Sequence, residues 1–176
     1  MNPFDLTDTL ETMTILVDTR EQDTTKARRR YASFGVPWRR EKLDWGDYSA
    51  EFTAPNGKVI SLNSNVAVER KMSLDELCHC FCQDRGRFER EFNRAKKLYL
   101  LIEGASWESI YAGRYRSKMT AKALVASLLA YTARYNCVPQ FCEPGTSGRL
   151  IKDILYREGK EFLESLPYEG DKEVVP

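Results

Sequence analysis

Short strand-like runs, each bounded by Gly, Pro, Asn or Asp, make up most of the first half of the chain. Runs of four to eight residues with this punctuation are typical of β-strands. They predict strands at residues 14–18, 38–43, 48–52, 58–62 and 65–71. The segment Pro55-Asn56-Gly57 separates two of these runs and indicates a hairpin. A single basic helix is predicted in this half, at residues 24–34, where Gly35 and Pro37 end it.

Helical periodicity dominates the second half. Phe88, Phe92 and Ala95 recur at the spacing of one helix face, and Ser73 with Glu76 has the pattern of a capping box that begins a helix. Further helices are predicted at residues 85–97, 106–112, 120–135 and 147–166, with strands at 98–103 and 138–142. We therefore expect one α/β domain over residues 1–176, with its core at about 14–165. Its expected architecture is a three-layer sandwich, a central mixed β-sheet flanked by helices.

Composition excludes several classes of protein. Hydrophobic residues make up 42% and charged residues 30%, which is typical of a globular chain and not of a disordered or fibrous one. The apolar runs are far shorter than the ~20 residues of a membrane helix, and the acidic N-terminal segment predicts no secretory or mitochondrial leader. We expect an intracellular protein, cytoplasmic in a microbe or phage-infected host and nuclear in a eukaryote. Its five cysteines are then expected to be reduced, and to be small buried hydrophobes more than zinc ligands.

Charge is distributed unevenly although the net charge is only +1. Seven basic residues and one acid lie within residues 26–42, and residues 109–142 contain five basic residues and no acid. Both ends of the chain are acidic. A basic middle between acidic ends suits contact with a polyanion such as DNA, while solvated helix faces are the alternative explanation.

Acidic residues lie where predicted strands begin or end. Asp18 ends the first strand, Asp47 begins the third and Glu69 lies near the end of the valine-rich strand. Strand alternation places Glu69 and Lys71 on one face of the sheet and Arg70 on the other. Clustered carboxylates either share protons or bind a hard cation such as Mg²⁺, and a metal beside a lysine suits phosphodiester hydrolysis. The alternative is a surface salt bridge between Glu69 and Lys71, with Asp18 capping Arg20.

Taken in order along the chain, several short motifs resemble those of the XPF-type structure-specific endonucleases, whose nuclease module also occurs in archaeal Hef proteins. The resemblance spans about residues 15–160. It rests on the motifs Val17-Asp18-Thr19-Arg20-Glu21, Gly46-Asp47, Glu69-Arg70-Lys71 followed by Asp75, Asp84-Arg85-Gly86-Arg87-Phe88, and Tyr99-Leu100-Leu101-Ile102-Glu103-Gly104.

This resemblance implies a restriction-endonuclease-like fold and Mg²⁺- or Mn²⁺-dependent incision of DNA near branches, flaps or forks. It implies that Asp47 and Glu69 are metal ligands, that Asp18 binds or orients a metal or its water, and that Lys71 polarises water. The implied supporting residues are Glu21, Arg70 and Asp75. Arg20 and Arg87 are expected to contact DNA phosphates, and the basic segment adds Arg114 and Arg116 as candidate DNA-binding residues. Family members commonly carry a helix-hairpin-helix or helicase domain, and we expect neither within this chain.

Three alternatives accompany this interpretation. The chain could be a non-catalytic DNA-binding partner of a nuclease, or a nuclease that acts on single strands or on RNA. The helix predicted at residues 120–135 could be entirely core, or its apolar stripe could also pair two copies in a homodimer, as late helices do in XPF-type modules. The members of this stripe are Leu124, Leu128 and Tyr131, with Val125 and Leu129 beside them.

Overall fold

A computed structural model describes residues 3–167 of the chain. Seven strands in this part form one sheet: β1 (Thr14–Asp18), β2 (Trp38–Glu41), β3 (Tyr48–Thr53), β4 (Val59–Ser61), β5 (Val66–Lys71), β6 (Lys97–Glu103) and β7 (Cys137–Cys142). Their order is β2-β1-β3-β5-β6-β7, and β4 forms a hairpin with β3. The predicted mixed sheet is confirmed.

Strand direction decides which residues meet. Strand β3 runs antiparallel to both β1 and β5, whereas β5, β6 and β7 run parallel. The first residue of β3 therefore lies at the same edge of the sheet as the last residues of β1, β5 and β6. This edge collects Asp47, which directly precedes β3, together with the ends of three strands.

Helices cover both faces of the sheet. They are α1 (Pro3–Glu11), α2 (Thr25–Ala32), α3 (Leu74–Cys82), α4 (Arg85–Arg94), α5 (Trp107–Tyr111), α6 (Ala121–Tyr135) and α7 (Ser147–Ser165). Residues of α1, α2 and α7 pack in one apolar cluster with the sheet, and residues of α3, α4, α5 and α6 pack in a second cluster on the opposite face. The two clusters with the sheet between them are the three predicted layers. No helix in the described residues is long and apolar enough to cross a membrane.

Most predicted elements are confirmed to within a few residues. Helix α4 ends at Arg94, three residues before the predicted end, because Lys97 already belongs to β6. Helix α1 is an additional element that the sequence analysis does not predict. Leu6 and Leu10 lie one turn apart on it, and both pack in the core. The prediction that the cysteines are buried is only partly correct. All five are free thiols, but Cys82 is exposed, and Cys80 and Cys142 are half-buried.

Candidate active site

A cavity of about 410 Å³ opens at the edge of the sheet where these strand ends meet. Its walls come from the segment after β1, the ends of β3 and β5, helix α3 and the start of α4. The predicted site residues that line it are Arg20, Glu21, Asp47, Glu69, Arg70, Lys71 and Arg87. Glu76, Cys80, Asp84 and Phe88 also line it and were not among the predicted site residues.

Glu69 and Lys71 form a buried ion pair on the cavity side of β5. Lys71 Nζ lies 2.5 Å from Glu69 Oε1, and each side chain is only 9% exposed. The ammonium also lies 5.2 Å from the centre of the Phe88 ring. The predicted contact is therefore confirmed, but the pair is buried and is not the surface salt bridge that the alternative described.

The environment keeps Lys71 charged. Burial by itself lowers the pKa of Lys71, but the negative charge of Glu69 and its hydrogen bond oppose this, and the net pKa is raised above that of an ordinary lysine. At neutral pH the ammonium can therefore donate a hydrogen bond, and it cannot accept a proton.

Asp47 reaches the same cavity from β3. It follows Gly46, whose φ of +70° favours glycine and whose added Cβ would lie 2.8 Å from the Cβ of Ala67. One carboxylate oxygen of Asp47 accepts a hydrogen bond from the backbone N–H of Arg70 at 2.7 Å. The Gly-Asp pair thus brings the backbones of β3 and β5 close together and turns a second carboxylate toward Glu69.

The pKa of Asp47 is raised well above its ordinary value. Asp47 is half-buried at the cavity, and desolvation of its carboxyl is the largest cause. The negative charges of Glu69 and Glu21 add to it. The hydrogen bond from Arg70 and the charge of Lys71 act in the opposite direction and do not outweigh these effects.

These two carboxylates fit a small hard cation. Asp47 and Glu69 each keep one oxygen to which no other group in residues 3–167 donates a hydrogen bond. A bound cation would relieve the repulsion that raises the pKa of Asp47. Mg²⁺ is commonly held by one or two carboxylates, with water and substrate oxygens as its remaining ligands. Within the described part of the chain, no group of three or more His, Cys, Asp or Glu side chains is arranged to hold a metal.

Asp18 does not line the cavity, so it does not add a third carboxylate to Asp47 and Glu69. Its buried carboxylate accepts hydrogen bonds from the backbone and side chain of Arg20 and from the backbone N–H of Leu43. Burial by itself would raise the pKa of Asp18, but these hydrogen bonds and the charge of Arg20 lower it below its ordinary value. The structure thus brings together two of the three predicted carboxylates, and the third fixes Arg20, as the alternative described.

Arg70 points to the opposite face of the sheet, where it joins a closed ring of side chains. Its two terminal nitrogens contact Glu103 at 3.2 Å and Glu21 at 3.4 Å. The Tyr48 hydroxyl donates to Glu21 and accepts from Arg30, and Arg30 in turn pairs with Glu103 at 3.5 Å. The ring ties α2, β3, β5 and β6 together, and two of its members, Glu21 and Arg70, also line the cavity.

Comparison with known proteins identifies the family. The model of the ERCC4 domain matches residues 17–152, which is most of the chain. The chain belongs to the ERCC4-domain family. This is a family of DNA nucleases, so the expected family is confirmed.

Solved structures support the same fold. The chain is similar to XPF from Aeropyrum pernix, at 20% identity and a TM-score of 0.59, over 86% of this chain and 67% of that one. It is also similar to XPF from Aeropyrum pernix in complex with DNA, at 22% identity and a TM-score of 0.58, over 89% and 68% of the two chains. A comparison with curated proteins gave no match.

The last acid of the Gly-Asp, Glu-Arg-Lys, Asp motif lies elsewhere in this ERCC4 domain. Asp75, on the first turn of α3, accepts hydrogen bonds from the backbone N–H groups of Arg116 and Ser117 at 2.7 and 2.9 Å. It does not line the cavity. Of the candidate DNA-binding residues, Arg20 and Arg87 lie at the cavity, whereas Arg114 and Arg116 are exposed on the loop between α5 and α6.

Proposed function

We propose that this ERCC4 domain is a Mg²⁺- or Mn²⁺-dependent endonuclease that hydrolyses phosphodiester bonds of DNA. One observation carries the proposal: Asp47 and Glu69 face the same cavity beside a buried, protonated lysine. A non-catalytic DNA-binding protein has no need for two carboxylates in one cavity, because carboxylates repel phosphate.

Asp47 and Glu69 would hold the metal. When bound, the metal supplies an activated water and neutralises charge on the phosphate. Lys71 would act directly on the phosphate. Its ammonium lies in a fixed position at the cavity and would stabilise the negative charge that develops as the phosphate is attacked. Its hydrogen bond to Glu69 also orients that carboxylate. Lys71 is therefore a hydrogen-bond donor and an electrostatic catalyst, and not a general base.

Arginines at the cavity suit the flanking phosphates, because a guanidinium matches phosphate oxygens as a fork. Arg87 is exposed at the start of α4, and Arg20 is half-exposed while Asp18 fixes its orientation. Asp18 and the ring around Arg70 act as positioning residues for this wall of the cavity.

DNA is the proposed substrate, and branched, flap or fork DNA the proposed preference. The XPF complex with DNA and the acid-free basic segment at residues 109–142 support DNA as the ligand. The preference for branches rests on the resemblance to the XPF-type endonucleases. Replacing Arg114 and Arg116 together with alanine should flatten the salt dependence of duplex binding by up to about two log units per log unit of salt. A slope equal to that of the wild type would move the DNA-binding face elsewhere.

The decisive experiment measures cleavage of end-labelled flap, fork, linear duplex, single-stranded DNA and RNA, each with Mg²⁺, Mn²⁺ or EDTA. We expect metal-dependent cuts near the branch. Lys71→Met should lower the single-turnover rate by about a hundredfold or more with little change in DNA affinity, because one preorganised donor is lost. Lys58→Met is the matched control, since it removes an exposed lysine from the β3–β4 hairpin.

Each outcome distinguishes the alternatives. Binding without cleavage under every metal condition would make this chain a non-catalytic partner. Cleavage restricted to RNA or to single strands would change the substrate class. Cleavage of flap DNA by Lys71→Met at the wild-type rate would show that the buried pair is structural, and the proposed chemistry would then fail.

A homodimer through α6 is a further part of the proposal. Leu124, Leu128 and Tyr131 are buried in the core, whereas Leu129 on the same helix is 54% exposed. The broad stripe thus covers the sheet and leaves apolar surface outside, which suits a second copy of the chain.

A further inference from the structure

Helix α3 forms a ridge between two recesses. Glu76 and Cys80 face the cavity that contains Glu69 and Lys71. Asp75, His79 and Gln83, on the neighbouring stripe of the helix and its C-cap, line a second recess of about 560 Å³. Arg116 and Ser117 close this second recess from the side of the α5–α6 loop.

The α5–α6 loop, residues 113–119, has an inner face that packs on the core and an outer face that is exposed. Tyr115 and Met119 pack against the apolar core, whereas Arg114, Arg116 and Lys118 alternate with these residues and are exposed. The alternation directs three basic side chains outward from a backbone that is anchored on its inner side. No ion pair joins Arg116 or Lys118 to an acid within residues 3–167.

Asp75 attaches this loop to α3. A single oxygen, Oδ1, accepts both backbone hydrogen bonds, from Arg116 at 2.7 Å and from Ser117 at 2.9 Å. The contact holds the backbone of the loop and leaves the Arg116 side chain exposed at the second recess. The Ser117 side chain adds a hydrogen bond to Cys78 of the same helix, so two neighbouring residues of the loop are attached to α3.

We propose that the loop at residues 113–119 and its recess bind a second DNA phosphate, apart from the one that is cleaved, and that Asp75 is the positioning residue for this contact. The inference rests on the proposed function for its ligand, DNA. Because Glu76 and Cys80 lie on one stripe of α3 and Asp75 and His79 on the next, the second phosphate lies beside the cavity and is separate from the cleaved one.

The direction in which DNA affinity changes when Asp75 is replaced distinguishes a positioning role from a purely electrostatic one. Removing an acid from a DNA-facing surface should tighten binding if only charge matters. If Asp75 positions the loop, Asp75→Ala should weaken binding instead. Asp75→Asn should bind nearly as well as the wild type, because the amide Oδ1 can still accept both backbone hydrogen bonds.

The experiment measures binding of labelled duplex by fluorescence anisotropy in EDTA across a salt series. Arg116→Ala should weaken binding by about five- to tenfold and lower the salt slope by about 0.9. Asp75→Ala should lose a similar amount, and the double variant should be no weaker than Arg116→Ala alone. Arg149→Ala, which removes an exposed arginine from α7 in the opposite layer, is the control and should bind as the wild type does.

Two further measurements test the position and the kind of effect. A methylphosphonate scan neutralises one phosphate at a time, and a neutral phosphate at one position other than the cut should abolish the difference between Arg116→Ala and the wild type. The same scan on Asp75→Ala should show the same loss of sensitivity to that neutral phosphate, whereas Arg149→Ala should keep the sensitivity of the wild type.

Failure of the inference is distinguishable from failure of the proposed function. If the wild type does not bind DNA in EDTA, the proposed ligand is wrong. If the wild type binds and cuts DNA, but Arg116→Ala binds equally well or Asp75→Ala binds more tightly, the second contact is refuted and the nuclease stands. Arg116→Ala keeps this test valid even if Asp75→Ala does not fold, since the Asp75 contact uses the backbone of residue 116.

Discussion

The Glu69–Lys71 pair allows the sharpest test of the site, because stability and chemistry can be separated there. Both side chains are 9% exposed and share one 2.5 Å contact, and the ammonium also lies 5.2 Å from the centre of the Phe88 ring. Removing one partner of such a pair leaves an uncompensated buried charge, which costs about 3–5 kcal/mol. We therefore expect Glu69→Gln and Lys71→Met each to destabilise the fold by about 3 kcal/mol at pH 7. For a chain of this size that loss lowers Tm by about 6–12 °C.

The double variant Glu69→Gln/Lys71→Met should behave differently. It replaces the two charges with neutral side chains of similar volume, a change that is often close to neutral for a buried pair. Its stability should lie within about 1 kcal/mol of the wild type, so the coupling energy is about 5 kcal/mol. Urea unfolding in EDTA measures all four proteins, and DNA cleavage is then compared at a temperature where each is folded.

Two results would refute this reasoning. Single variants that lose less than about 1 kcal/mol each, with additive effects, would show that the pair behaves as a solvated surface ion pair. A folded double variant that still cuts DNA would show that the chemistry lies outside this pair.

Four other perturbations should change stability or assembly in a direction that the structure predicts. Because the pKa of Asp47 is raised, its charge opposes folding above the ordinary carboxyl pKa. Asp47→Asn should therefore stabilise the metal-free protein at pH 7 by about 1 kcal/mol and give no gain near pH 3, where Asp47 is already protonated. Mg²⁺ at ten times its Kd should stabilise the wild type by about 1.4 kcal/mol in thermal melts, and Asp47→Asn should lose this shift; an equal shift in both proteins would place the metal elsewhere. Gly46→Ala should unfold at lower temperature and cut less, since it combines a positive φ with a 2.8 Å approach to Ala67; unchanged melting would contradict the close approach. Leu129→Glu should convert a dimer to a monomer in sedimentation at micromolar concentration, and a wild type that is already monomeric there would exclude the dimer.

Local periodicity was enough to predict the side chains that meet along a single strand. Alternation in β5 placed Glu69 and Lys71 on one face, and the structure confirms their contact. Helical spacing likewise turns Cys80 away from Cys78, so that Cys80 faces the cavity while Cys78 is buried in the core. These contacts depend on two or four residues of chain, so the sequence determines them without knowledge of the fold.

Contacts between distant segments could not be predicted in this way. One partner of Arg70 is Glu103, which meets it because β6 pairs with β5 in parallel register. Asp18 is kept from the cavity by the backbone N–H of Leu43, whose position depends on the course of the β2–β3 connection. A carboxylate at a strand end can therefore lie in either of two environments that the sequence does not distinguish. It faces the cavity, as Asp47 does, or it is surrounded by hydrogen-bond donors from neighbouring segments, as Asp18 is.

The Glu-Arg-Lys triplet combines both kinds of contact in three consecutive residues. Glu69 and Lys71 pair on the cavity side, while the side chain of Arg70 bridges two glutamates on the other face. The backbone N–H of Arg70 also holds the carboxylate of Asp47. Arg70 therefore contacts Asp47 through its backbone N–H and the two glutamates through its side chain. An arginine suits this position since its planar fork reaches two carboxylates at once, whereas a lysine offers a single point charge. The middle residue of the triplet thus holds the carboxylate of Asp47 at the cavity that Glu69 also lines.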